Sequence, residues 1–102
     1  MTDKKMTDKK IIHSLIEQEL KEANEHFPQF ASDHEAWAVV REEFEEAKEE
    51  LEGCENALTL IWGQVRENDG TDELYFVMES YAVNLIQEAI QLAAMCRKAR
   101  AV

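Results

Sequence analysis

The chain has one proline, three glycines and two cysteines in 102 residues, and each scarcity excludes something. So little glycine rules out a glycine-rich loop cradling phosphates, and no segment shows the alternation and paired turn residues of hairpins. Cys54 and Cys96 stand far apart, without zinc or redox spacing, and read as reduced thiols with no chemical role. Long apolar runs are also missing. Nothing is long enough to span a membrane, and the polar start "MTDKKMTDKK" lacks the pattern of a signal peptide, so a cytoplasmic location is expected. Basic residues are in deficit, 11 Lys+Arg against 22 Asp+Glu, for a formal charge of −11. That field repels nucleic-acid phosphates and anionic membranes, which excludes direct nucleic-acid binding and membrane attachment as expectations. A polyanionic nucleotide is still admissible where divalent cations lie between it and the protein.

What is present is helical periodicity. Ile11, Ile12, Leu15, Ile16, Leu20, Ala23 and Phe27 recur at helical spacing and predict a first helix ending at Pro28. "SDHE", Ser32 to Glu35, is a capping-box pattern opening a second helix to about Glu52. Gly53 either caps it or is crossed at a cost of ~1 kcal/mol. In the first case Ala57, Leu58, Ile61, Trp62 and Val65 form a short extra helical segment. "ENDGTDE" is a turn, and Asp72 to about Arg100 is a third main helix, acidic at its start and basic at its end. The fold class is therefore all-α: a bundle of three main helices plus a short extra helical segment. Residues 1–10, with "MTDKK" repeated, read as a disordered or added stretch, and 11–102 as one helical domain. The nearly all-round apolar surface from Leu74 to Cys96 needs more cover than two helices give, so a homo-oligomer is expected.

The second helix carries seven glutamates between Glu42 and Glu52. An apolar stripe of Trp37, Val40, Phe44, Ala47 and Leu51 places Glu42, Glu46 and Glu49 opposite it, with Glu43 and Glu50 on its flank. Such a run is either a solvated face supported by pairs along the helix or a set of ligands. On the third helix Ser80, Asn84, Gln87, Glu88 and Gln91 gather on one narrow polar stripe, either a seam fixing register or a binding stripe. Together the helices offer Glu43 and Glu46, one turn apart, facing Glu88 and Gln91. Carboxylates three residues apart on facing helices suit Mg2+, which takes hard oxygen ligands and leaves positions for water and phosphates.

"EEFEE", Glu42 to Glu46, followed by "EAIQ", Glu88 to Gln91, resembles the E-E-x-x-E and E-x-x-D motifs of the MazG-like all-α nucleoside triphosphate pyrophosphohydrolases. "FPQFASDHEAWAVVREEFEEAKEEL" and "QEAIQLAAMC" are similar to the small members of Gram-positive bacteria and their phages. Two departures stand out. The linker, residues 47–87, is longer than usual, and Gln91 holds the aspartate position with a neutral carbonyl.

The resemblance implies Mg2+-dependent hydrolysis of a nucleoside triphosphate to the monophosphate and pyrophosphate. It implies Glu43, Glu46, Glu88 and Gln91 as metal ligands and Glu42 as the group orienting water. Lys98, on nearly the same face as Gln91, is the candidate phosphate contact; its alternative is a solvated residue complementing the helix end. The competing function is a non-catalytic, partner-binding helical module on the same fold. His13 and His26 read as surface residues, His34 as a cap-region residue, and Trp37 and Trp62 as core or interface anchors.

Overall fold

The computed structural model describes residues 4–101, and every regular element among them is a helix. These are α1 (Lys4–His26), α2 (Asp33–Arg66) and α3 (Asp72–Ala99).

α1 begins before the expected domain boundary, so residues 4–10 are helical where a stretch outside the fold was expected; residues 1–3 lie outside the described residues. The packed part starts later. Ile11, Ile12 and Leu15 are exposed, and Ile16 is the first buried side chain among those described. α1 ends as expected: Phe27 N–H still donates to Ala23 O (3.1 Å), and Pro28 has no N–H to continue the ladder.

The capping box at the start of α2 is formed. Glu35 N–H donates to Ser32 Oγ at 3.1 Å, and Glu35 Oε1 accepts from Ala31 N–H at 3.2 Å, one residue earlier than the usual cap N–H. The helix then runs unbroken to Arg66, so the expected extra helical segment is the second half of α2. Gly53 does not cap it. Gly53 is buried against α3, and a Cβ there would lie 2.7 Å from Tyr81 Cγ and overlap the ring. Glycine is present because the two helices approach closely at this level. The stop comes at Asn68, which adopts a left-handed conformation (φ 56°) while Asp69 N–H donates to Gln64 O at 2.9 Å.

α2 and α3 form a long antiparallel hairpin, with Cys54 Sγ 3.8 Å from Met78 O and Gly53 against Tyr81. α1 packs on the C-terminal half of α3. Ile16, Ala94 and Met95 are the buried centre of that junction, with Leu20, Phe30, Val39 and Ile90 around them. Arg97 ties it from outside, within 2.6 Å of His13 Nδ1 and 3.9 Å of Glu17.

The face α2 turns to α3 is not the expected stripe. Ala36, Ala47, Gly53, Cys54, Ala57 and Ile61 are buried, whereas Trp37, Phe44 and Leu51 are exposed. At about 100° per residue the true inner face lies roughly a quarter-turn from the expected one. Small residues let the hairpin close tightly, and the large apolar ones face away from it. The molecule is correspondingly flat, 54 × 41 × 18 Å, with a radius of gyration of 17.6 Å against about 13 Å for a compact globule of this length. Among the described residues no helix is long and apolar enough to cross a membrane.

Candidate metal centre

The rotation of α2 places its acidic residues differently from a solvated run. Glu43 shares the inner face with Ala36, Ala47 and Cys54, and Glu46, expected opposite the apolar stripe, is half-buried beside it. On α3 the expected polar stripe divides. Ser80, Asn84 and Gln87 are exposed, while Glu88 and Gln91 turn inward. Antiparallel pairing then sets Glu43 and Glu46 against Gln91 and Glu88.

One carboxylate oxygen from each of Glu43, Glu46 and Glu88 lies within 4.8 Å of the other two. Among the described residues, the ion pairs Arg41–Glu45 and Arg97–Glu17 include none of the three. Crowding shows in the protonation of Glu43 and Glu88. Desolvation, then the charges of Glu46 and Glu88, push the Glu43 carboxyl from 4.5 to about 7. Glu88 is also raised, first by desolvation and then by Glu46 and Glu50. Gln91 mitigates the repulsion. With its amide nitrogen toward the carboxylates it donates to Glu88 Oε2 and Glu43 Oε2, 3.2 Å each; the opposite orientation would face its oxygen to two acceptors. To act as a ligand through its carbonyl, the amide must turn over.

The other two expected residues stand apart from this cluster. Glu42 is exposed, though close enough for its charge to raise Glu43. Lys98 is neither solvated nor joined to the carboxylates. It is 7% exposed, its ammonium donates to Phe27 O, and it lies 4.7 Å from the centre of the Phe30 ring. One further residue belongs here: Glu50, half-buried, whose Oε2 is buried without a hydrogen-bond partner and whose charge acts on Glu88. The signal was in the sequence, since Glu50 repeats Glu43 at the seven-residue interval that returns to the same helix face.

Comparisons with models of protein families, with curated proteins and with solved structures find no match.

Chemically, the donor set suits a small hard cation. Carboxylate oxygens are hard ligands of the kind such cations take, and their closeness raises the carboxyls of Glu43 and Glu88.

Proposed function

We propose that the chain is a Mg2+-dependent nucleoside triphosphate pyrophosphohydrolase of the MazG-like type, acting as a homo-oligomer. The observation that carries this reading is the convergence of Glu43, Glu46 and Glu88 from two antiparallel helices, outside the ion pairs formed among the described residues. These three residues would hold the ion, with Gln91 after its amide turns and Glu50 one turn further along. Bound there, Mg2+ supplies charge compensation for the phosphate oxygens. In the reaction a water oxygen bonds to the α phosphorus, the bond to the α–β bridging oxygen breaks, and pyrophosphate leaves. In this reading Glu42, exposed beside the cluster, would orient that water and accept its proton.

A second reading is favoured by one contact. Gln91 bridging Glu43 and Glu88, with a proton shared among raised carboxyls, is also a self-sufficient polar seam for a non-catalytic, partner-binding module. Glu88→Gln separates the two. In the enzyme it should abolish both pyrophosphate release from a nucleotide panel and the rise in melting temperature with Mg2+, while helicity stays intact. A metal response that survives the substitution, or wild-type protein that releases no pyrophosphate from any nucleotide, favours the seam.

A further inference from the structure

One helical turn from the carboxylate cluster, toward the start of α2 and the end of α3, a pocket of about 540 Å³ opens between the helices and the segment joining α1 to α2. Its walls are apolar: Phe27, Phe30, Val39 and Met95. Val39 precedes Glu43 and Met95 follows Gln91 by one turn each, so the pocket and the cluster share the α2–α3 seam. Three polar side chains line it, Lys98, Glu35 and the exposed His26.

Lys98 is the unusual one. An ammonium that is 7% exposed ordinarily has a carboxylate partner, yet among the described residues Lys98 forms no ion pair. It has three N–H donors, and its described hydrogen bond, to Phe27 O, uses one. Glu35 lines the same pocket without reaching the ammonium, and its Oε1 is engaged by Ala31 N–H, leaving Oε2 as acceptor. A buried ammonium donor and a carboxylate acceptor lining one aromatic-walled pocket match a planar ring presenting an acceptor beside a donor.

We propose that this pocket holds the base of the nucleotide and selects bases with a lactam edge, with Lys98 donating to the ring carbonyl and Glu35 accepting from the adjacent ring N–H. The proposal rests on the nucleotide reading of the neighbouring cluster. Uracil, thymine and guanine present that edge. Cytosine and adenine reverse it, setting an amino group against the ammonium and a bare ring nitrogen against the carboxylate. Lys98 thereby becomes a contact to the base rather than to phosphate.

The test uses nucleosides, which have no phosphate, titrated into the full chain in EDTA and followed by chemical-shift changes. Uridine, thymidine and guanosine should bind roughly tenfold or more tightly than cytidine and adenosine, since the reversed edge leaves polar groups unpaired. Lys98→Met should remove the discrimination, and Glu35→Gln, whose amide can donate, should narrow or reverse it. If Lys98→Met does not fold by circular dichroism, Glu35→Gln decides. Equal binding of all five, no binding of any, or discrimination unchanged in the folded variants overturns the proposal. Mg2+ titrated without nucleoside reports on the cluster separately: nucleoside selection without Mg2+ binding would sink the enzyme reading and leave the pocket.

Discussion

At Glu43 the chain keeps a proton that its unfolded form gives up. The folded carboxyl is held at about 7 against 4.5, so between those values the unfolded state binds fewer protons and native stability falls as pH rises. Glu88 shifts in the same direction and adds to the fall. The loss runs up through the folded value of about 7 and levels off above it, where a bound cation would reverse it. The wild-type melting temperature should therefore drop from ~pH 5 to ~pH 8 in EDTA, by about 4–8 °C for each kcal/mol lost, and recover with Mg2+ at the upper end. Glu43→Gln, which cannot ionise, should flatten the fall and abolish the recovery. A wild-type profile flat across this window would show that the three carboxylates do not interact as their spacing implies.

At the scale of the helices, the sequence made the elements legible and hid their rotation. The Pro28 stop, the Ser32–Glu35 cap and the span of α3 follow from local chemistry, and the structure agrees with each. Which face of α2 turns inward does not follow from local chemistry. The large side chains of Trp37, Phe44 and Leu51 suggest one face, whereas close packing against α3 selects the small residues Ala36, Ala47, Gly53 and Ala57. For the same reason the pairing of Glu43 and Glu46 with Glu88 and Gln91 was readable from spacing, but the burial of Lys98 was not. That burial depends on how the segment after Phe27 folds over α3. Gly53 gives the measurable consequence. Alanine at a helix interior normally gains ~1 kcal/mol over glycine, but here its Cβ would overlap the Tyr81 ring and overpacking costs about 1–3 kcal/mol. Gly53→Ala should thus destabilise the wild type and stabilise a Tyr81→Ala background. Chemical denaturation of the four proteins of that cycle checks the change of sign, and stabilisation in both backgrounds would mean that the ring simply swings aside.

The whole molecule exposes more surface than its mass warrants. Its accessible area is 8,035 Å², whereas a compact monomer of 11.8 kDa has about 5,900 Å². The excess, roughly 2,100 Å², exceeds the ~800 Å² that each partner contributes to an ordinary stable interface. Its location is ordered. On α2 the exposed Trp37, Phe44, Leu51, Leu58 and Val65 recur every seventh residue, and on α3 Phe76, Val83 and Ile86 form a second exposed row. A seven-residue repeat keeps an apolar seam facing one neighbour along a whole helix, which suits a second hairpin laid against the first as a four-helix core. The charge opposes association of two copies, so burial of these rows must outweigh that repulsion. A protein of net charge −11 that leaves such rows in water would still be driven to cover them, while its acidic faces limit further association. Sedimentation equilibrium should accordingly give a dimer or larger assembly at micromolar concentration. Leu58→Glu and Val83→Glu, both in the exposed rows and away from the carboxylate cluster, should shift it toward monomer with a lower melting temperature. A wild-type chain sedimenting as an 11.8 kDa monomer under those conditions would refute this assembly, and the exposed rows would then need a different partner.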